Sequence, residues 1–223
     1  MLLLIPLIKL QCFQHIIPGL FVRNTFGNVL AKLICLKAEF LLLIGLLLIQ
    51  NGIHDFGIQI AIVANGPFQQ PFWDIQNFHG IHKRLAVHNF DGRLSQLGFA
   101  ASDFTLMPSL FEPCGLPQMQ APIYGSLAVV HNTGGLHDTV ETLDWAGGYG
   151  NGFVFDTYDS NGLFWAMDQA MAFYQQPAEV KEREIARIMT ESLARFNHEA
   201  CAKEYINLYE KMLDRPLVRE FKD

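Results

Sequence analysis

Charged residues and cysteines are both scarce in this sequence. Only 17% of its 223 residues are charged, whereas 50% are hydrophobic. This balance excludes a disordered tail and a collagen-like repeat, and a chain of this length can build an ordinary core without disulfide or metal support. The four cysteines form no Cys-x-x-Cys pair, so we expect free thiols in a reducing compartment.

Long hydrophobic runs and basic clusters are also absent. The strongest apolar run, Phe40–Ile49, has ten residues, whereas a membrane-spanning helix needs about 20. We therefore predict no membrane segment, no signal peptide and a cytoplasmic location, or the plastid stroma in a plant. Sixteen basic and 22 acidic residues give a net charge of −6, which argues against nucleic acid as a partner. A locally basic pocket for a small phosphorylated ligand is compatible with this charge.

Short apolar runs alternate with helical patterns along most of the chain. Continuous apolar strands are typical of a parallel sheet that is covered on both faces. The pattern therefore predicts an α/β fold with a doubly wound, Rossmann-like parallel sheet and right-handed crossovers. The predicted strands span residues 41–49, 58–64, 85–90, 104–107, 127–131 and 152–155. The predicted helices span residues 92–101, 113–124, 161–175, 178–196 and 198–213.

The two ends of the chain are less regular. Residues 1–40 form an apolar segment without a clear period, in which Val29–Lys37 is compatible with a helix. We assign residues 41–213 to one domain and residues 214–223 to a tail. Within the domain, the helix predicted from Asn161 carries an apolar stripe, which we expect to face the core rather than a ligand. The stripe consists of Phe164, Met167, Met171 and Tyr174.

The first candidate loop follows the predicted strand 104–107. It reads PSLFEPCGLPQ from Pro108, and Glu112 is a carboxylate that can accept hydrogen bonds from hydroxyl groups. Gly115 permits close approach of a ligand to the backbone, and Pro113 suits the first turn of the following helix. The N-terminus of that helix would attract an anion. Alternatively, Glu112 only caps the helix.

The second candidate loop, His131–Asp138, follows the next predicted strand. Its paired glycines, Gly134 and Gly135, can expose N–H groups that bind an oxyanion. Formation of a tight turn is the alternative explanation. Doubly wound folds bind their ligands at the carboxyl ends of the strands, where both loops would lie. We therefore predict one ligand seat made by the two loops and suited to a sugar attached to phosphate.

Other reactive side chains are weaker candidates. Cys114 has no histidine nearby in the sequence, so we expect a packed thiol rather than a nucleophile. His79 and His82 have a spacing that zinc can use on a helix. Gly80 between them and the lack of a clear third ligand favour a surface turn. We therefore predict no metal site.

The two loops together resemble the bacterial glycogen synthases and plant starch synthases. That family has a segment like PSRFEPCGLTQ, followed by YGT and TGGLxDTV, where this chain reads PSLFEPCGLPQ, YGS and TGGLHDTV. Cys114 and Gln118 distinguish this pattern from the broader glycosyltransferase group, in which a second glutamate stands at the position of Gln120.

The similarity extends beyond the two loops. Phe90-Asp91 is similar to the start of the family's YDE…YAxAD segment, and Gly152–Phe155 matches its GFVF strand. Residues 43–53 are more faintly similar to IGRL…QKGI. The strong resemblance covers about residues 85–213.

The resemblance implies the carboxyl-terminal, nucleotide-sugar-binding half of a glycosyltransferase with GT-B architecture. Such an enzyme transfers glucose from ADP-glucose to the nonreducing end of an α-1,4-glucan with retention of configuration, and it requires no metal or other cofactor. The family's amino-terminal half, with its KxGGL loop, has no counterpart in this sequence. We therefore expect a missing amino-terminal domain as a partner.

The resemblance also assigns roles to individual residues. Glu112 would bind the glucose hydroxyls and hold the sugar for transfer. Phe90 stands where the family has a tyrosine against the adenine, so stacking is kept and the hydroxyl is lost. The backbone amides that would support the sugar are those of Cys114, Gly115 and Leu116. The residues that would lie beside the phosphates are Thr133, Gly134 and Gly135.

The chain departs from the family at two basic positions. The family's arginine and lysine in GRL…QKG clamp the diphosphate, whereas this chain has Leu46 and Asn51 there. The loss of an electrostatic donor of this kind costs about 10²–10³ in rate. The alternative function is therefore a noncatalytic nucleotide-sugar or glucan-binding module that descends from a synthase. A decayed gene product without its own function is the third hypothesis.

Overall fold

The computed structural model describes residues 31–35, 58–66 and 69–214. Its strands are β1 Ala31–Cys35, β2 Ile58–Val63, β3 Leu85–His88, β4 Phe104–Met107, β5 Leu127–His131 and β6 Gly152–Phe155. Its helices are α1 Gln69–Phe78, α2 Gly92–Ala101, α3 Pro117–Gln120, α4 Gly134–Thr139, α5 Ser160–Tyr174, α6 Ala178–Arg195 and α7 His198–Leu213, and a 3₁₀ helix spans Ala121–Tyr124.

The six strands form one parallel sheet in the order β3-β2-β1-β4-β5-β6. The chain builds the sheet outward from β1 in one direction and then returns to build it in the other. This is the doubly wound arrangement, and the predicted α/β fold class is confirmed. Among the helices of the described ranges, none has both the length and the apolar character needed to cross a membrane.

The strands next to the site are buried along their whole length. Every residue of β4 and β5 is buried, as the continuous apolar runs predict. The register aligns Met107 with Val130 and His131 with Phe155. The carboxyl ends of β4, β5 and β6 therefore lie side by side, and the loops that follow them leave from one edge of the sheet.

The central strand β1 corrects one prediction. The sequence suggested a helix over Val29–Lys37, but Ala31–Cys35 is a strand that pairs with both β2 and β4. Two neighbouring strands supply its backbone hydrogen bonds, and this tertiary pairing overrides a short helical pattern. The sheet thus includes residues from the segment that the sequence left undefined. The predicted strand 41–49 lies outside the described residues.

The helix after the first candidate loop is shorter than predicted. It begins at Pro117, not Pro113, and gives way to the 3₁₀ helix that contains Pro122. Because proline has no N–H, Pro117 suits the first helical position, and Pro122 falls beyond the end of the α-helix. Gly125 ends the 3₁₀ helix with a φ of 77°, a conformation that glycine adopts without strain.

Helix α5 begins one residue earlier than predicted. Asp159 has an extended backbone, and its carboxylate accepts a hydrogen bond from the N–H of Gly162 at 2.8 Å. This contact makes Asp159 the N-cap and Ser160 the first helical residue. The prediction that Asn161 is the cap is wrong. Asp91 caps α2 in the same way.

Aromatic rings fill the core between the sheet and α5. The ring centroids of Phe104 and Phe153 are 5.8 Å apart, and those of Phe153 and Phe173 are 6.2 Å apart. All three rings are buried. The predicted apolar stripe of α5 is confirmed to pack against this core, with contacts from Phe164, Met167, Met171 and Tyr174.

We expect Phe153→Ala to lower the free energy of unfolding by about 3–5 kcal/mol, because it removes a buried ring from the centre of the core. Phe78 is 86% exposed, so Phe78→Ala serves as the control and should change the free energy of unfolding by less than about 0.5 kcal/mol. Urea denaturation measures both values. Equal losses in the two variants would contradict this packing.

Candidate functional site

The two candidate loops meet in direct backbone contact. We call residues 108–116, after β4, the glutamate loop, and residues 132–135, after β5, the glycine turn. The N–H of Gly135 donates a hydrogen bond to the carbonyl oxygen of Glu112 at 2.8 Å. A Cβ added at Gly134 would lie 2.1 Å from the same oxygen, so only glycine fits at this approach. The predicted convergence of the two loops is confirmed.

Glu112 is held inside the glutamate loop rather than at the end of a helix. Its exposed fraction is 7%, and its Oε2 lies 3.4 Å from the hydroxyl of Ser109, which donates to it. The N-cap residue of α3 is Leu116, and no side chain accepts a hydrogen bond from the first turn of that helix. The alternative that Glu112 caps the helix is therefore wrong, because the helix starts four residues too late for it.

His131, the last residue of β5, supports the glutamate loop from below. Its Nδ1 lies 2.8 Å from the carbonyl oxygen of Ser109, and its ring packs against Phe155 and Tyr158 with centroids 5.4 and 4.9 Å away. The sequence alone predicts no role for this side chain. The signal that could have identified it is a polar residue at the end of an apolar run, and the structure shows that this residue is buried.

The backbone of the glutamate loop offers unsatisfied donors at its rim. Within the described ranges, the N–H groups of Cys114, Gly115 and Leu116 donate no hydrogen bond to protein atoms. Gly115 has a φ of 72°, which turns the chain at this point. Such N–H groups are available to an oxygen-rich ligand.

Cys114 does not behave as predicted. The sequence predicts a packed thiol, but the side chain is exposed, and Cys114 is a free thiol. The Cys114 carbonyl faces the interior instead and accepts a hydrogen bond from the buried amide of Gln118 at 2.8 Å. The prediction of a packed thiol is therefore wrong. Its Sγ lies 3.5 Å from the carbonyl oxygen of Gly115.

The glycine turn offers fewer donors than expected. The N–H of Gly135 is used by the Glu112 carbonyl, and the N–H of Thr133 donates to the carbonyl of His131 at 2.9 Å. In the part of the chain that the structure describes, the N–H of Gly134 has no protein acceptor. One N–H of the glycine pair thus joins the loops, and the other is left for a ligand.

Phe90 lies at the same edge of the sheet but farther along it. It follows β3, its N–H donates to Oδ1 of Asn65 at 2.9 Å, and its side chain is 59% exposed. Three inter-strand steps of about 4.8 Å separate the ends of β3 and β4, or about 14 Å in all. An exposed aromatic ring and the polar seat therefore stand at the two ends of one strip of the sheet edge.

The two loops themselves contribute no basic side chain. Neither the glutamate loop nor the segment 131–138 contains a lysine or an arginine. Leu46 and Asn51, which replace the family's basic residues, lie outside the described residues. The side chains beside the glycine turn form a short series of hydrogen bonds. Asn132 donates to Asp156 at 2.6 Å, and Nδ1 of His137 lies 2.6 Å from Oδ1 of Asn132.

The described residues contain no group of three or more histidine, cysteine, aspartate or glutamate side chains placed to hold a metal ion. His79 and His82 are exposed and lie in the turn after α1, where Gly80 has a φ of 63°. The prediction of a surface turn for this pair is confirmed.

We expect Gly135→Ala to destabilise the fold by about 1–3 kcal/mol, because its Cβ would lie 2.1 Å from the backbone oxygen of Cys114 and neither backbone can move freely. Gly92 is the matched control, since it also lies in the first turn of a helix and a Cβ there would meet no atom within 4 Å. Chemical denaturation of Gly135→Ala and Gly92→Ala tests this. Unchanged stability in Gly135→Ala would show that the loops are not in contact.

The sequence comparisons identify relatives along most of the chain. No family model matches it. The chain is 37% identical over 158 residues to a glycogen synthase of Clostridioides difficile, a match that covers 70% of this chain and 32% of that protein. A glycogen synthase of Thermotoga maritima is 38% identical over 160 residues, which is 71% of this chain and 32% of that protein. The chain therefore spans about a third of the length of these curated relatives.

Solved structures give the same assignment. The catalytic domain of starch synthase IV from Arabidopsis thaliana, bound to ADP and acarbose, superposes with a TM-score of 0.76 at 27% identity, covering 96% of this chain and 44% of that one. The HepE protein of Anabaena, in complex with UDP and glucose, shares the fold with a TM-score of 0.63 at 16% identity. The chain is thus a homologue of part of the bacterial glycogen synthases and plant starch synthases, and it has the fold of the carboxyl-terminal half of a GT-B glycosyltransferase.

Proposed function

We propose that this chain is the donor-binding half of a retaining glucosyltransferase, which transfers glucose from ADP-glucose to the nonreducing end of an α-1,4-glucan. The observation that carries the proposal is the contact between the glutamate loop and the glycine turn. It brings a buried carboxylate and free backbone N–H groups to one edge of a parallel sheet. A hexose linked to a diphosphate needs both, since its hydroxyls donate hydrogen bonds and its phosphate oxygens accept them.

Glu112 would hold the sugar. Its carboxylate can accept hydrogen bonds from two neighbouring hydroxyls of a pyranose ring, and such charge-assisted bonds are stronger than neutral ones. The Ser109 hydroxyl and the Glu112 carbonyl are already engaged within the protein, which limits the directions that the carboxylate can adopt. The sugar would therefore bind in a defined orientation, and fixed orientation is one source of catalytic rate.

The backbone N–H groups at the rim would receive the oxygens of the ligand. Those of Cys114, Gly115 and Leu116 would support the sugar, and Gly134, with Thr133 and Gly135 beside it, would lie next to the phosphates. Phe90 would stack on the nucleobase, since its exposed ring follows β3 at the same edge of the sheet as the seat, three strands away from β4. Stacking alone does not distinguish adenine from uracil, so the choice of ADP-glucose over UDP-glucose rests on the resemblance.

The glucan would bind between this chain and a further domain. The chain matches about a third of the length of its relatives, and the rim of the glutamate loop carries three apolar side chains that are each at least 59% exposed. These side chains are Leu110, Phe111 and Leu116. An apolar rim of this kind suits contact with another domain or with the faces of sugar rings. We propose that the reaction takes place in the cytoplasm, or in the plastid stroma of a plant.

We expect Glu112→Gln to weaken ADP-glucose binding by about tenfold to a hundredfold and to leave ADP binding nearly unchanged. The reason is that the variant loses charge-assisted hydrogen bonds to the sugar, each worth about 1.5–3 kcal/mol, and none to the nucleotide. Isothermal titration calorimetry with ADP, ADP-glucose and UDP-glucose measures this. Glu182→Gln, the same change at an exposed position of α6, should bind like the unmodified chain. Equal losses for ADP and ADP-glucose would contradict the assigned role.

A noncatalytic nucleotide-sugar or glucan-binding module is the second candidate function. The observation that favours it is the absence of lysine and arginine from residues 108–116 and 131–138, together with Leu46 and Asn51 at the family's basic positions. A seat of N–H groups and one carboxylate can bind a sugar nucleotide, but it has little to stabilise the charge that develops on departing ADP.

The two candidate functions differ in turnover. The full chain is mixed with the acceptor-side domain of a related glycogen synthase, and labelled glucose is followed from ADP-glucose into glycogen. Incorporation above background supports the glucosyltransferase. Binding of ADP-glucose or maltooligosaccharides without incorporation supports the module. Failure of the chain to fold as a soluble monomer supports the decayed gene product and contradicts both.

A further inference from the structure

The side chain of Gln118 connects the glutamate loop to helix α4. It is completely buried, on the short helix α3. Its Nε2 lies 2.8 Å from the carbonyl oxygen of Cys114, 3.1 Å from that of Gly115 and 3.2 Å from Oγ1 of Thr139. The Thr139 hydroxyl in turn donates to the carbonyl of Gly135. One amide group thus contacts the glutamate loop and the helix that begins in the glycine turn.

The environment determines which way the amide faces. The atoms around Nε2 are two carbonyl oxygens and a hydroxyl oxygen that already donates elsewhere. An amide nitrogen can donate to such acceptors, whereas an amide oxygen in the same place would face three oxygens without a proton between them. The Oε1 atom lies on the other side, buried and without a hydrogen-bond partner among the described residues. The amide nitrogen is therefore satisfied and the amide oxygen is not. A buried acceptor without a partner lowers the stability of the fold and is uncommon in folded proteins.

We propose that Gln118 is a positioning residue for the ligand seat: its amide draws the carbonyls of the glutamate loop inward and so aims the N–H groups of Gly115 and Leu116 at the ligand. This inference rests on the proposed function. Across a trans peptide bond, the C=O of one residue and the N–H of the next point in opposite directions, and the described residues contain no cis peptide bond. The carbonyls of Cys114 and Gly115 face Gln118, so the N–H groups that follow them face away from the interior.

Gly115 accommodates this arrangement. Its φ of 72° permits two successive carbonyls to converge on one amide, and a Cβ at this position would lie 2.4 Å from Oε1 and 2.8 Å from Nε2 of Gln118. The glycine is therefore needed for its backbone conformation and for the space that the glutamine occupies. The pair acts as one unit, in which the side chain fills the room that the missing Cβ leaves.

Gln118→Glu tests the proposal with almost no change in shape. The carboxylate has no proton to donate and faces three oxygens, so it repels the carbonyls that Gln118 attracts. Burial raises the pKa of such a carboxyl, by several units in fully buried cases. Protonation restores one O–H donor, so the defect should diminish as the pH falls from about 8.5 to about 6.5. Gln175→Glu is the control, because it makes the same change at an exposed position just after α5, away from the two loops.

The first readout is binding of ADP-glucose to the full chain by calorimetry. We expect Gln118→Glu to bind about tenfold more weakly than Gln175→Glu at the higher pH, and the difference to shrink at the lower pH. A loss that does not change with pH, or affinities that are equal at both values, would overturn the proposal. A general loss of stability cannot produce this pattern if thermal unfolding shows both variants folded at the assay temperature.

The second readout does not depend on a ligand. Hydrogen–deuterium exchange should rise in Gln118→Glu over residues 112–120 and 133–140, relative to Gln175→Glu at the same pH, whereas exchange in α6 should stay the same. Unaltered exchange in the two loops would overturn the positioning role. If the unmodified chain binds neither ADP nor ADP-glucose while the loops lose protection as expected, the proposed function fails and the positioning role of Gln118 stands.

Discussion

One hydrogen bond between two loops sets the geometry of the whole site. The N–H of Gly135 reaches the carbonyl of Glu112 only because neither glycine of the turn carries a Cβ, which would collide with the backbone of the glutamate loop at 2.1 Å. This contact brings the end of β4 and the end of β5 to one point. The buried carboxylate of Glu112 and the unused N–H of Gly134 then share a single seat, although the two residues lie 22 positions apart in the sequence.

Two buried polar side chains, His131 and Gln118, hold the glutamate loop from within the protein. His131 supports the Ser109 carbonyl, and Gln118 binds the carbonyls of Cys114 and Gly115. Each of these contacts supplies a hydrogen-bond donor to a backbone oxygen of the loop. Their common effect is to turn carbonyls inward, which leaves the N–H groups of the loop facing outward. Side-chain hydrogen bonds therefore hold the backbone of the glutamate loop in place, although the loop has no regular secondary structure.

The two loops offer hydrogen-bonding groups to a ligand, but they contribute no positive charge. The site consists of neutral N–H groups and one carboxylate, and residues 108–116 and 131–138 carry no lysine or arginine. Binding and turnover thus make different demands on this chain, because a bound sugar nucleotide is satisfied by hydrogen bonds while a departing diphosphate requires positive charge.

The sequence by itself determined the elements whose pattern is local. The runs 104–107, 127–131 and 152–155 are strands with the predicted bounds, and Gly92–Ala101 is the predicted helix, because a buried parallel strand needs an unbroken apolar run and a helix needs a cap. Only the tertiary structure decided what depends on neighbours. Ala31–Cys35 is a strand because two other strands flank it. Cys114 is exposed, Gln118 is buried against the backbone of the glutamate loop, and Gly135 gives its N–H to Glu112 rather than to a ligand. These outcomes follow from contacts between residues that are distant in the chain or turned by an irregular loop, and such contacts leave no period in the sequence.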